Sequence, residues 1–246
     1  MIVGFSGGVT SAWCLGWALS AYPREEVIAL FHDTKEEHPD TYRFLKEMAA
    51  ALGVEITERS DGRSVTQLFR DEDVLGNNQQ TMCSRILKAE QGEKYVGELR
   101  RMISPDLEII KVIGYSANEP KRVNRMVGYC AASGITARFP IIETGTTKQE
   151  CADWCVAQGV QPSAMYCWAE HANCVGCVKG ARTYWLAVAK HHPEVYEQRA
   201  QLEEEFGHTI NRGGNPITLR ALLELGTKHP FAIREKIDLG ACECGD

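Results

Sequence analysis

Short apolar runs alternate with amphipathic stretches through the first half of the chain. Runs at 2–5, 27–31, 54–57, 107–113 and 137–142 read as strands, and the stretches 10–21, 39–52, 82–102 and 120–132 read as helices. In 39–52 the apolar positions Tyr42, Leu45, Met48, Ala49 and Leu52 fall at helical spacing, Pro39 suits a first turn and Gly53 a stop. Strands and helices in alternation predict an α/β fold: a doubly wound, Rossmann-like parallel sheet with helices on both faces. Ligands in such sheets sit beyond the carboxyl ends of the strands, so the loops after Phe5, Phe31 and Ile113 are expected to face one site.

The strand rhythm stops near Thr147. Helical stretches at 148–158, 179–191, 193–207 and 218–226 follow, with a cysteine-rich segment among them and a glycine- and cysteine-rich tail. This predicts an α/β domain over 1–146 and a helical, cysteine-bearing extension over 147–246. The 246 residues suffice to bury a core without disulfides, and 44% hydrophobic content excludes disorder over most of the length. A net charge of −6 without acidic or basic blocks argues against bulk nucleic-acid binding. No apolar stretch reaches a membrane span, and MIVGFSGG carries no basic leader, so a cytoplasmic protein is expected. Ten cysteines in a reducing compartment point to metal or redox chemistry rather than a disulfide framework.

Ser6-Gly7-Gly8-Val9-Thr10-Ser11 lies between a strand and a helix. Glycines let the backbone approach a ligand, successive amides and the helix start attract an anion, and the hydroxyls of Ser6, Thr10 and Ser11 add donors. The segment is neither a Walker A loop nor a GxGxxG fingerprint, and a tight capped turn is the alternative reading. Cys174-Val175-Gly176-Cys177 is a CxxC that lets two thiolates face one metal, with zinc and a [4Fe–4S] cluster both open by sequence. Cys14, Cys130, Cys151 and Cys155 read as small core hydrophobes. Trp154, Tyr166, Trp168, Tyr184 and Trp185 read as core and shielding.

These segments resemble a known group, the PP-loop ATP pyrophosphatase and phosphoadenylyl-sulfate (PAPS) reductase superfamily of adenine nucleotide alpha-hydrolase fold, and within it the phage-type PAPS reductase-like proteins. The glycine segment resembles the SGGxxS loop. HDTKEEHPDTYRFL resembles the second-strand segment, MCSRILKAE the cysteine-basic segment, GYSANEPKR the Gly…Glu…Arg segment, FPIIETGTTKQECADWC the segment before the distal cysteines, and NCVGCVKGARTYW the CxxC segment. Thr10 stands where ATP pyrophosphatases usually carry Asp, which leaves PAPS, APS and ATP all open as ligand.

The resemblance implies nucleotide contacts from Ser6, Gly7, Gly8, Val9, Thr10, Ser11, Asp33, Thr34, Arg85, Lys88, Gly114, Glu119 and Arg122, with Asp33 a candidate for ribose, adenine or Mg²⁺. It implies an iron–sulfur cluster, with zinc the alternative, on Cys83, Cys174 and Cys177, with Cys167, Cys242 or Cys244 as further candidates. Glu243-Cys244-Gly245 resembles the reductase tail, whose cysteine attacks the sulfate sulfur. The implied activity is PAPS or APS reduction with a thioredoxin-like reductant. The alternatives are an ATP-dependent sulfurtransferase that takes sulfur from a donor to a nucleobase or DNA phosphate, and a non-catalytic nucleotide-binding iron–sulfur module. No membrane partner is expected; a homo-oligomer is.

Overall fold

The structure is a computed structural model and describes residues 1–228 and 237–239. Strands β1 (Ile2–Gly4), β2 (Ile28–Asp33), β3 (Ile56–Ser60), β4 (Ile109–Val112) and β5 (Ile135–Arg138) form one sheet in the order β3-β2-β1-β4-β5, with every pair parallel. Helices α1 (Val9–Ala21), α2 (Pro39–Leu52), α3 (Val65–Asp71), α4 (Met82–Ser84), α5 (Glu90–Met102) and α6 (Pro120–Ala132) connect or follow them. Short α7 (Pro140–Thr144) leads into α8 (Lys148–Ala157), α9 (Arg182–His191), α10 (Pro193–Phe206) and α11 (Leu219–Lys228). This is the doubly wound fold that the alternation of strands and helices predicts.

Alternation along the strands sorts side chains to two faces. Val3, Phe5, Ala29 and Phe31 point into a core with Leu15 of α1 and Phe44, Leu45 and Met48 of α2. Ile2, Leu30, Ile109 and Ile135 point the other way, against Val96 and Leu99 of α5 and Met126 and Cys130 of α6. Each large side chain fully buried in this way contributes about 1.5–3 kcal/mol. α8 joins the first core: Cys151 and Cys155 are fully buried there, and Gly16 of α1 leaves the space that the Trp154 ring fills. A separate cluster joins α3, α9, α10 and α11 through Phe69, Trp185, Tyr196 and Leu222, and takes in Ile86 and Leu87.

Local chemistry sets the element ends. The His38 imidazole accepts from Asp40 N at 3.1 Å ahead of Pro39, and Gly53 closes α2 at φ +64°. Ser64 with Gln67 and Thr147 with Glu150 form reciprocal capping boxes on α3 and α8. Two expectations need correction. The expected strand at 137–142 lies instead at Ile135–Arg138, because Pro140 opens α7 and the Phe139 amide is taken by Glu143, itself paired with Arg138. The expected helix at 82–102 is interrupted by a π turn at Arg85–Ala89. Such wide turns are rare and recur at functional sites.

His32 on β2 lies under α5, close to Gly92, and its buried Nε2 has no hydrogen-bond partner among the described residues. Burial first, then the charges of Lys111 and Lys88, push its pKa down to about 4. The neutral ring therefore belongs to the fold, and its contribution is fully present above the ordinary histidine range. It is lost as pH falls from about 6.5 toward 4, at a cost of roughly 3 kcal/mol at most. Urea midpoints measured at pH 7 and pH 4.5 should show this loss in the wild type and a smaller one in His32→Leu.

Candidate nucleotide and thiol site

β1 ends where Phe5 N donates to Leu30 O at 2.9 Å, and the chain then turns through Ser6, Gly7 and Gly8 into α1. Gly7 sits at φ +80°, and a Cβ there would lie 2.3 Å from Thr41 Cγ2, so glycine is required twice over. Ser11 Oγ donates to Gly8 O at 2.7 Å and accepts from Ser6 N at 3.2 Å. Val9 N donates to the buried Tyr166 hydroxyl at 3.1 Å. Two amides of the turn are thus held by the protein itself. Those of Gly7 and Gly8 have no partner among the described residues, and the N-cap Gly8 has no side-chain cap. An anion at this helix start would meet free N–H groups and the positive end of α1.

The sheet order reverses between β1 and β4, the switch point at which doubly wound sheets bind ligands. The loop after β4 presses against the turn: a Cβ on Gly114 would lie 3.0 Å from the Thr10 carbonyl carbon and oxygen. Tyr115 stacks on Phe139 with centroids 6.0 Å apart, and the Arg122 guanidinium lies 4.3 Å from the Tyr115 ring centroid. Glu119 pairs with Arg122 and accepts from Ser116 N at 3.2 Å. Lys148 lies over the Tyr166 ring, and His171 feels the charges of Lys148, Glu119 and Arg122, which closes this wall of the cleft.

At the end of β2, Asp33 and Thr34 are both buried, with different company. The Asp33 carboxylate accepts from Lys35 N at 2.8 Å and Tyr42 OH at 2.7 Å, and pairs with Lys35 Nζ at 2.7 Å. Burial alone would raise its pKa, but Lys35 and Tyr42 together hold it below the usual value. Its side chain fixes a turn in which Lys35 takes φ +60°. Thr34 faces the thiols: its Oγ1 lies 3.0 Å from Cys174 Sγ and donates to Glu37 Oε1 at 3.1 Å.

Glu37 is the hub of this corner. Its Oε1 also pairs with Lys88 Nζ at 3.1 Å and lies 3.4 Å from Cys174 Sγ. Burial and then Glu37 push the Cys174 thiol well above its ordinary pKa. Burial works against the charge of Lys88, but Glu37, Cys174 and Cys177 more than offset it and push its pKa up. Cys83 is raised by burial and by nearby Cys177, and lowered by Lys179 and Lys88. Lys179 is solvent-accessible but hemmed in by protein, which lowers its pKa against the pull of Cys177 and Cys83; Lys88 and Arg122 lower it further. The structure therefore brings Cys83, Cys174, Cys177, Lys88, Lys179 and Arg122 into one electrostatic neighbourhood. Arg85 instead pairs with Glu90 and is exposed. Cys167 packs at the edge of the cluster that also contains Cys83 and Cys174. Cys242 and Cys244 lie outside the described residues.

The CxxC turn is held from below. The Tyr184 hydroxyl accepts from Gly176 N at 2.9 Å and Cys177 N at 3.2 Å, and donates to Cys174 O at 2.8 Å. Cys174 also bridges to Glu37, and Val175 N donates to Glu36 O at 2.9 Å.

Residues 1–104 match the family model of the phosphoadenosine phosphosulfate reductase domain. This segment is PAPS reductase-like. No curated protein matches the chain. The PAPS reductase-like segment contains the glycine turn, Asp33, Thr34, Cys83, Arg85 and Lys88. The Gly114–Arg122 wall and the CxxC come from the rest of the chain, yet they meet the segment at the carboxyl ends of its strands.

Sequence reasoning passed over Glu37, and it read Tyr166 and Tyr184 as core and shielding. Glu37 carries a signal, four residues after Asp33 in a segment already singled out. The two tyrosines carry none, because their partners are backbone amides brought close only by folding. Around the PAPS reductase-like segment, Tyr184→Phe strands two N–H groups of the CxxC turn. It should lower stability by about 1–3 kcal/mol in urea titrations, and a melt no different from wild type would contradict that role. Among the described residues, no helix is long and apolar enough to cross a membrane.

Proposed function

We propose that this protein is an adenine-nucleotide-dependent enzyme of sulfur chemistry, of the PAPS or APS reductase type. The observation that carries the reading is a glycine turn with free amides at the switch point of the sheet, beside which the loop after the neighbouring strand β2 gathers thiols and cationic side chains. The phosphates of the nucleotide sit at Gly7, Gly8 and Thr10, with Arg122 on the opposite wall; Lys88 and Lys179 offset negative charge beside the thiols. Guanidinium and ammonium groups in a cleft of this kind draw an anionic ligand to a chain that is negative overall.

In this reading Cys244 of the tail is the nucleophile. Its thiolate attacks the sulfur of the sulfuryl group, the bond from that sulfur to the bridging phosphate oxygen breaks, and the adenosine nucleotide leaves with the electron pair. The enzyme then holds a cysteine S-sulfonate. A dithiol of thioredoxin type supplies two electrons: one thiol attacks the Cys244 sulfur and expels sulfite, and its second thiol restores Cys244 and forms the reductant's disulfide.

For a metal group, the three thiols of Cys83, Cys174 and Cys177 share one neighbourhood and are donors that suit an iron–sulfur cluster, with zinc the alternative. No three His, Cys, Asp or Glu side chains converge on one point among the described residues. The resemblance to iron-bearing sulfonucleotide reductases favours the cluster. Cys83, Cys174 and Cys177 would hold it, with Cys167 as a further ligand, and when bound it would supply electrostatic stabilisation next to the sulfuryl group.

A second reading rests on the intact double glycine of the turn: ATP bound there, with sulfur transferred to a nucleic-acid acceptor. The deciding assay uses anaerobically purified protein with PAPS, APS or ATP. Cys244→Ser should abolish sulfite release while nucleotide still binds. Sulfite release at the wild-type rate would remove the tail nucleophile, and acceptor-dependent pyrophosphate from ATP, without sulfite, would establish the second reading. Nucleotide binding with no product at all would leave a binding module.

A further inference from the structure

We propose that Arg199 is a positioning residue for the thiol loop, the point at which the C-terminal helices set the geometry of Cys174 and Cys177. The inference rests on the reading that the CxxC belongs to the reacting site.

Arg199 lies on α10 and is 1% exposed. Its guanidinium reaches three segments at once. It pairs with Glu36 on the loop after β2, donates from Nη1 to Thr66 Oγ1 at 2.6 Å, and donates from Nε to Gly176 O at 3.3 Å inside the CxxC. The other carboxylate oxygen of Glu36 accepts from Thr66 N at 2.8 Å and Thr66 Oγ1 at 2.7 Å, at the start of α3. Thr66 thus donates its proton to Glu36 and accepts from Arg199, which closes a ring of hydrogen bonds. The Glu36 carbonyl meanwhile receives Val175 N. One residue is gripped by its side chain through Arg199 and by its backbone through the thiol loop.

The seat has no slack. Gly176 takes φ +75°, and a Cβ there would lie 2.9 Å from Val195 Cγ1 and 3.2 Å from Arg199 Nε. The turn therefore rests directly on α10. Only a planar, forked cation satisfies a carboxylate, a hydroxyl and a carbonyl in these directions; an ammonium reaches them only as a point charge. Arg199 and Glu36 lie 163 positions apart, one outside and one inside the segment that matches the reductase domain. A guanidinium placed merely to stabilise the helical extension has no need to bond to the CxxC carbonyl.

The test reads thiol reactivity, which does not depend on turnover. Arg199→Met alone leaves the partly buried Glu36 carboxylate without its cation, so the informative variant is the pair Glu36→Met with Arg199→Met, which removes both charges. Native protein is alkylated with iodoacetamide and each cysteine is followed by mass spectrometry. In the paired variant, folded by circular dichroism, Cys174 and Cys177 should react about tenfold faster relative to Cys83 than in wild type, with Arg199→Lys in between. PAPS affinity at the glycine turn should be unchanged. Rates for the two cysteines within about twofold of wild type, or an equal rise at Cys14 and Cys151, would overturn the proposal by showing no effect or a global loosening. If the wild type releases no sulfite from PAPS, the functional reading falls while the alkylation result still decides the role of Arg199.

Discussion

A guanidinium taken out of water must be given partners for its donors and a counter-charge, or the fold loses several kcal/mol. Arg199 imposes that condition here, and the arrangement of the second half follows from it. Its partners are supplied by the loop after β2, the start of α3 and the CxxC turn, so the C-terminal helices can close only in one position against the α/β unit. The apolar cluster of α3, α9, α10 and α11 supplies the burial energy. The ion pair supplies the register.

The same economy governs the cleft. The thiol corner is a set of mutually dependent charges: Lys88 stays protonated because Glu37 and the sulfurs face it, and Glu37 tolerates burial because Lys88, Thr34 and Cys174 bond to it. The glycine turn is rigid for a related reason. Tyr166, from beyond α8, holds the amide at the head of α1, and Ser11 ties Ser6 back to the turn. Both halves of the chain therefore shape this mouth: the glycine turn comes from the first, and the residues that hold it include Tyr166 from the second.

Much of this was legible in the residue order. The glycine turn, the strand-forming runs other than β5, the helices at 120–132 and 148–158 and the proline-led start of α2 rest on short-range chemistry, and each stands close to where the pattern places it. Strand β5 was misjudged because an apolar run continues past Arg138, whereas Pro140 ends the pairing. What the pattern could not reveal are partnerships across long separations: Val9 with Tyr166, Glu36 with Arg199, Thr34 with Cys174. Asp33 and Arg85 show the converse. Their positions drew attention, while their carboxylate and guanidinium are engaged by Lys35, Tyr42 and Glu90. The cysteine tail lies outside the described residues, so its role rests on resemblance.

The π turn at Arg85–Ala89 has a geometric meaning for this corner of the molecule. Each residue of an ordinary α-helix advances the chain by about 100° around its axis, and a wide turn accommodates one residue more than an α turn would. Cys83 lies on the near side of that turn and α5, anchored beneath the sheet, on the far side. Loss of a single residue from the turn would return it to an ordinary α turn and leave both α5 and Cys83 close to their places, whereas the same loss from a regular α-helix would rotate everything before it by about 100°. The turn thus takes up a one-residue change of helix length that a regular helix would pass on to this sulfur.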